Sequence, residues 1–359
     1  MCAVVLTNTF GDRGGAVRIG VVGYGVGGRY FHVPFVHAAE GVELVGIVTR
    51  SPKRAAQVQS DVPGTPVFQS LGELIDAGVD AVTITTPPET RRELVLEALS
   101  RGVHVVADKP FAPDPQGGLD LVEAADKAGL LLSVFQNRRW DADIRTLRAV
   151  IDRGELGRVW RIESRFDLDE PSTLELGPTG GLLRDLGSHL VDQVLWLFGR
   201  ATSVYARMDW VGDGDQRTDS AFVVDIDHAS GVHSTVSATK INRFQARQLR
   251  VYGTDGSFYS DGTDVQAQSI FAGRRQVDDP KSWGYELEDR WGTLYTDAGA
   301  RKVPSEQGSY QDYYSAFAAA VRGEGPQPVP ASEAIHTLEV LDVAQRAAET
   351  GQVIELPSS

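Results

Sequence analysis

The sequence predicts an α/β protein of two domains: a parallel, doubly wound sheet in the N-terminal part, then an α+β part whose sheet is largely antiparallel. Three observations carry this. A glycine-rich turn, Gly23 to Gly28, directly follows a short apolar run near the start of the chain. Strand-like and helix-like segments then alternate over residues 17–136, the rhythm of parallel βαβ units. From Val159 the apolar segments become longer and mostly strand-like, with turn signals between them, as antiparallel pairing requires. At 359 residues the chain is long enough for two cores of its own.

Composition bounds the partners. Apolar residues make up 42% and charges are mixed, as in ordinary globular proteins. No apolar run approaches the roughly 18 residues that span a bilayer, so no membrane partner is expected. The net charge of −14 opposes a nucleic-acid backbone, and no basic cluster with interleaved aromatics offsets it. The single cysteine, Cys2, excludes an intramolecular disulfide and a cysteine-based zinc cluster. It suits a reducing compartment, and a cytoplasmic location is expected. Residues 1–16 lack a basic n-region and a full-length h-region, and read as a flexible N-terminal extension rather than a secretion signal.

Taken in order, Val17 to Val22 is a buried first strand. In the loop after it, Gly23, Gly25 and Gly28 stand as G-x-G-x-x-G. Gly23 makes the tight turn, Gly25 lets a pyrophosphate approach the backbone, and Gly28 lets the next helix pack close to the strand. An ordinary tight turn has the same glycines; the position after a strand and at the head of a βαβ pattern favours a nucleotide. Gly23, Gly25, Val26 and Gly28 are therefore candidate cofactor contacts. Val26 to Phe31 starts a helix that Pro34 interrupts, or Pro34 opens a second short helix.

Val42 to Val48 is the second strand, and it ends in Thr49, Arg50 and Ser51. An Asp or Glu about twenty residues past such a loop binds the ribose 2′-OH of NAD. Here no acid stands at that point, and a guanidinium grips a 2′-phosphate well. NADP is the expected cofactor, with NAD possible; the plainer reading of Arg50, Lys53 and Arg54 is a solvated loop and helix start. Val79 to Thr85 is the next strand, followed by Thr86-Pro87-Pro88 and a helix from Glu89 to Arg101 capped by Gly102. His104 to Ala107 is a strand that runs into Asp108-Lys109-Pro110, Leu119 to Ala128 is a helix closed by Gly129, and Leu130 to Phe135 is the last strand of this part. Ligands of such sheets bind at the carboxyl ends of the strands, where Lys109 and Asn137 both lie.

Beyond Val159, helices are expected at about Arg184 to Phe198, Tyr310 to Val321 and Ala331 to Thr350. At 100° per residue, Leu186, Leu190, Val194, Leu197 and Phe198 form an apolar arc. Asp185, His189 and Asp192 fall on a narrow stripe opposite. That stripe faces either solvent, as is usual for surface helices, or a site. An Asp one turn from a His can orient it, and a neutral His is a natural base near neutral pH. The spacing matches no common zinc motif, and no metal is expected. Arg138, Arg139 and Trp140 form either a packed hinge or a substrate contact.

The glycine loop, the Asp108-Lys109-Pro110 turn and the stretch Gly180 to His189 together resemble the glucose-fructose oxidoreductase, inositol dehydrogenase and MocA (Gfo/Idh/MocA) family, over nearly the whole chain from Val17 onward. The resemblance implies an N-terminal Rossmann domain, 17–137, which also holds the cofactor through Thr86, Pro87 and Lys109. It implies a C-terminal domain, 138–359, for substrate binding and oligomerisation, whose open sheet forms the interface of a homodimer or homotetramer. The family's catalytic lysine, aspartate and histidine correspond to Lys109, Asp185 and His189; with Asn137 these are the expected substrate contacts.

Two departures stand out. The family's usual turn is Glu-Lys-Pro, and Asp108 is one methylene shorter. Thr86-Pro87-Pro88-Glu89-Thr90-Arg91 replaces Thr-Pro-Asn-x-x-His, which puts in doubt a role for that turn in holding nicotinamide or substrate. Ser133 to Asp141 and Asp185 to His189 look most like the NADP-dependent scyllo-inositol dehydrogenase branch, and Ser282-Trp283-Gly284 and Gly308-Ser309-Tyr310 look similar as well. The resemblance implies reversible oxidation of a secondary alcohol on a cyclic polyol or sugar. Two rival expectations remain open: a reductase of a keto sugar or nucleotide-linked keto sugar, with Arg138, Arg165 or Arg243 near an anionic substrate, and an NADP-binding ligand sensor without turnover.

Overall fold

The computed structural model describes residues 15–177 and 180–357. Most of the expected extension at 1–16 lies outside them. The chain divides into two compact units, one of residues up to 135 together with 311–333, the other of residues 136–310 together with those from 334 onward. The sequence reading has one crossing, at residue 137; in the structure residues 311–333 group with the first unit. Tyr313 on the helix Gln311–Val321 donates to Ser133 Oγ (2.8 Å) and packs edge-on to Phe135, ring centroids 4.9 Å apart. An amphipathic helix reads the same in either unit, so its sequence carries no address.

The first unit is a six-stranded parallel sheet. Its strands are β1 (Val17–Val22), β2 (Val42–Val48), β3 (Val67–Phe68), β4 (Ala81–Ile84), β5 (His104–Asp108) and β6 (Leu132–Phe135), in the order β3-β2-β1-β4-β5-β6. The order reverses between β1 and β4, which is the switch point where doubly wound sheets bind ligands. The helices between strands are α1 (Val33–Ala38), α2 (Pro52–Asp61), α3 (Leu71–Asp76), α4 (Pro88–Ser100) and α5 (Pro115–Ala128). Ser51, Ser70 and Asp114 cap α2, α3 and α5 by accepting from backbone N–H groups three residues on. Before α1, residues Gly27–His32 form a wide π-helical turn, and Pro34 sits in the first turn of α1. Proline opens a second helix here rather than interrupting one, since the first turn needs no N–H from it.

The second unit carries a nine-stranded sheet. After α6 (Ala142–Asp152) come β7 (Val159–Asp167), α7 (Ser188–Phe198), β8 (Ala201–Val211), β9 (Thr218–His228), β10 (His233–Thr239), β11 (Ala246–Gly253), β12 (Gly256–Asp261), α8 (Val265–Phe271), β13 (Thr293–Thr296), β14 (Gly299–Lys302) and β15 (Ile354–Glu355). The order is β14-β13-β12-β11-β7-β10-β9-β8-β15, antiparallel throughout except for the central parallel pair β7 and β10. One face is packed: Ile162, Val224, Val236 and Val251 of the sheet meet Leu147 of α6, Leu190 and Val194 of α7, and Leu341 of the helix Ala331–Thr350. On the other face Val223 and Tyr295 are exposed. Alternation along a strand makes the same segment apolar inward and mixed outward, which is why β7 to β11 were legible.

Candidate functional site

At the switch point of the first unit the three glycines of the loop have different reasons to be glycine. Gly23 has φ +106°, in the left-handed region. A Cβ on Gly28 would stand 2.3 Å from the Gly23 carbonyl oxygen, so strand and turn meet too closely for any side chain. Thr85 clamps the turn by donating to the carbonyls of Val22 (3.1 Å) and Gly23 (3.2 Å). Gly25 is not demanded by the fold: the nearest atom to a Cβ there is Arg54 Nη2, at 4.0 Å. Open space beside Gly25 is what a closely approaching pyrophosphate needs. Val26 is exposed beside it. Tyr24 and Arg29 tie this segment to the end of α2. Arg29 forks onto the Asp61 carboxylate at 2.6 and 3.1 Å and Tyr24 donates to it at 2.9 Å; burial and Asp61 push the Tyr24 phenol well above its ordinary range.

At the end of β2, Thr49 is buried and its Oγ1 accepts from Ser51 N (3.3 Å), while the Ser51 Oγ accepts from Arg54 N (3.4 Å). These bonds fix the corner, and the Arg50 side chain is left exposed at its tip. Thr86 Oγ1 is buried with no hydrogen-bond partner among the described residues, and Pro87 leads into α4.

Lys109 follows β5, and its peptide to Pro110 is cis. The turn is gripped on both sides. Asp108 Oδ1 accepts from Lys109 N (2.8 Å), and the Arg91 guanidinium donates to the carbonyls of Asp108, Pro110 and Thr86. Arg91 is 2% exposed. A residue that looked like a departure from the family turn is therefore the brace of the lysine turn. Asp108 Oδ2 lies 3.4 Å from His32 Nε2, and His32 Nδ1 meets the Tyr314 hydroxyl at 2.6 Å. Burial alone would raise the Asp108 pKa, but His32, Arg91 and Lys109 outweigh it and hold the carboxyl below its usual range.

In the second unit, Gly181 has φ +102°, and a Cβ on it would overlap the Asp219 carboxylate. That carboxylate accepts from Leu183 N at 2.6 Å, heading a π-helical turn, Leu183–Gly187, that runs into α7. Burial pushes the Asp219 carboxyl upward. The wide turn breaks the 100° count, so Asp185, His189 and Asp192 do not form one stripe. Asp185 is half-exposed in the π turn and Lys240 Nζ holds its Oδ2 at 3.0 Å; His189 and Asp192 are buried in α7. The solvent-facing alternative is thereby corrected for both. Asp192 takes a two-pronged ion pair from Arg139, at 2.8 Å on each oxygen.

Asn137 is buried at the start of a 3-10 turn, Asn137–Trp140, whose arginines are both engaged in ion pairs. Arg138 bonds Asp264 (2.6 Å) and Asp141 (3.2 Å), and Arg247 completes the cluster on Asp141 and Asp143 at 2.6 and 2.7 Å. Both guanidiniums lie over the Phe166 ring. Arg165 is turned to Asp167 at 3.0 Å, and Arg243 is almost wholly exposed, 4.0 Å from Asp169.

With this geometry in place, the comparisons with known proteins decide the family. A family model described as an oxidoreductase family with an NAD-binding Rossmann fold matches residues 17–136, and the Gfo/Idh/MocA C-terminal domain matches residues 144–259. The chain belongs to the Gfo/Idh/MocA oxidoreductase family. It is 31% identical to scyllo-inositol 2-dehydrogenase (NADP(+)) IolW of Bacillus subtilis, over 95% of this chain and 96% of that protein. It is 25% identical to 1,5-anhydro-D-fructose reductase of Ensifer adhaerens over 94% of this chain and 98% of that one. The solved structure of YPO2259 from Yersinia pestis, 33% identical, superposes with TM-score 0.87 over 96% of this chain and 99% of that one.

A Gfo/Idh/MocA chain is an NAD(P)-binding oxidoreductase, and the residues here fit such a dinucleotide: open space at Gly25, no acid at the β2 corner and a buried Thr86 hydroxyl awaiting a partner. Sequence reasoning missed Arg91, His32, Asp219 and Lys240. Arg91 works on carbonyls, which leave no trace in a sequence. Asp219 and Lys240 lie 36 and 55 residues from the atoms they hold. Only Gly180-Gly181 hinted that something packs hard against that backbone.

Proposed function

We propose that this chain is an NADP-dependent oxidoreductase that reversibly oxidises a secondary alcohol of an inositol-like cyclic polyol or sugar to the ketone. The observation that carries the reading is the full-length similarity to an NADP-dependent scyllo-inositol dehydrogenase, spanning both units. The Thr49-Arg50-Ser51 corner supports NADP over NAD, since an exposed guanidinium there suits a 2′-phosphate.

The residues we assign to the cofactor are Gly23, Gly25, Val26, Gly28, Thr49, Arg50, Ser51, Thr86, Pro87 and Lys109. A bound nicotinamide supplies the hydride acceptor. His189 takes the hydroxyl proton as the carbonyl forms and returns it in the reverse direction. Lys109 hydrogen-bonds the reacting oxygen and, in reduction, stabilises the negative charge developing there. Asp185 and Asn137 bind neighbouring hydroxyls. A homodimer or homotetramer through the open sheet face is supported by its outward side chains Tyr205, Val223, Tyr252 and Tyr295, interleaved with Arg161 and Arg207. Among the described residues no helix is long and apolar enough to cross a membrane, and a cytoplasmic location fits the single cysteine.

The test is a panel of inositols, glucose, xylose and their keto forms with NADP and NAD, read by NADPH absorbance. Turnover of a polyol with NADP is expected; no absorbance change with any member would favour a ligand sensor instead. In the same assay His189→Ala should keep NADPH affinity and lose about 10² to 10⁴ in kcat, and unchanged turnover removes His189 from the mechanism. A keto-sugar reductase is the second reading, favoured by the similarity to 1,5-anhydro-D-fructose reductase; keto forms turned over with polyols inert would establish it.

A further inference from the structure

Lysine is almost never buried without a task, and Lys240 is 5% exposed. Its backbone is fixed at the end of β10: its N–H donates to Ser220 O and its carbonyl accepts from Glu170 N, each at 3.1 Å. The Nζ donates to Asp185 Oδ2 at 3.0 Å and to Thr173 O at 3.1 Å. The two ends of this ion pair differ sharply in exposure, 6% for the lysine side chain against 43% for the aspartate. The cation is buried and anchored, and the anion is presented.

A half-exposed aspartate samples several rotamers, each diluting the one a ligand needs. A charge-assisted bond to an anchored ammonium selects one rotamer. An ionised carboxylate only accepts, and a polyol offers hydroxyl donors. Asp219 fixes the same turn from its other end through Leu183 N, so both the backbone and the side chain of Asp185 are set before any ligand arrives. Pre-organisation of this kind appears as affinity.

We propose that Lys240 is a positioning residue that fixes Asp185 as an acceptor for a substrate hydroxyl, and so sets the affinity for the polyol. The inference rests on the reading of Asp185 as a substrate contact. It differs from a role in which Asp185 serves His189, because that role would move kcat, whereas hydroxyl binding moves KM.

The experiment compares Lys240→Met, Lys240→Arg and Asp185→Asn with the unmodified protein, using scyllo-inositol and NADP, NADPH fluorescence titration and thermal melting. Lys240→Met should raise the scyllo-inositol KM about tenfold or more, the size of one charged hydrogen bond, with kcat within about threefold and NADPH affinity unchanged. Lys240→Arg should recover most of the loss. A Met variant that fails to fold moves the measurement to Lys240→Gln, which keeps a donor without the charge and should raise KM in the same direction. An unchanged KM in Lys240→Met overturns the proposal. So does a loss of NADPH affinity and melting temperature in parallel with KM that arginine does not rescue, because that marks a purely structural lysine. The two levels separate cleanly: an unmodified protein inert toward inositols and sugars, or an Asp185→Asn variant with wild-type constants, refutes the functional reading. An impaired Asp185→Asn beside a normal Lys240→Met refutes only the role of Lys240.

Discussion

Glycines that look equivalent in the G-x-G-x-x-G pattern separate once the atoms around them are known. A side chain at Gly28 collides with the Gly23 carbonyl, a backbone atom that cannot step aside, whereas one at Gly25 meets nothing nearer than the far end of Arg54. Gly28→Ala should therefore cost about 1–3 kcal/mol of stability through overpacking. Gly25→Ala should leave the melting temperature within about 1–2 °C and weaken NADPH binding by about tenfold or more, because its methyl group occupies the space a pyrophosphate requires. Thermal melts and NADPH titrations of both variants check this: equal melting temperatures, or full NADPH affinity in Gly25→Ala, would refute the distinction. The same logic governs the polar residues. Arg91 satisfies three carbonyls and Asp108 one N–H of the lysine turn, so the backbone that carries Lys109 is held by the side chains of Arg91 and Asp108.

Among the elements, the corner between β2 and α2 is where the proposed cofactor choice would be made. Thr49, Ser51 and Arg54 N form a local hydrogen-bonded corner that holds the backbone, which leaves Arg50 at its tip as the group to meet a 2′-phosphate. Arg50→Ala should weaken NADP about tenfold, as loss of a charge-assisted contact does, with NAD changed less than about twofold; parallel losses for the two dinucleotides would remove Arg50 from the choice. The strand end and helix start that form this corner were legible in the sequence because both are local. The strands of the first sheet were legible too, since β-branched apolar runs such as Val42–Val48 announce burial on both faces. The short strands β3, β12, β13, β14 and β15 and the helices α3, α6 and α8 escaped notice. The π turn at Leu183–Gly187 was beyond reach of any periodicity argument, because the extra residue per turn is stabilised by a tertiary partner, Asp219, and not by local propensity. That single shift turned an apparent three-residue stripe into one residue held by Lys240 and two buried in a helix.

For the molecule as a whole, the buried histidines set how stability responds to pH. Burial lowers the pKa of His104, His228 and His336 below the ordinary value near 6.5. The bonding explains why two of them must stay neutral: His104 Nδ1 accepts from Leu131 N (2.9 Å) and His336 Nε2 accepts from Ala201 N (3.0 Å); His228, between the Gly199 carbonyl (2.7 Å) and Ser234 Oγ (2.8 Å), is kept neutral by burial. A backbone N–H donor leaves no room for a proton on the nitrogen it faces. The unfolded chain takes up protons on these rings as pH falls through about 6.5, while the folded chain does not, so the unfolded state gains and stability drops. The contribution is fully present above that value and is lost on acidification toward the depressed folded values, at up to about 1.4 kcal/mol per pH unit for each histidine. The melting temperature should accordingly decline from pH 7.5 to pH 5, and His104→Asn should flatten the slope while lowering the plateau. A melting temperature that is level across that range, or a slope that survives replacement of His104, His228 and His336 in turn, would show that other groups carry the acid sensitivity.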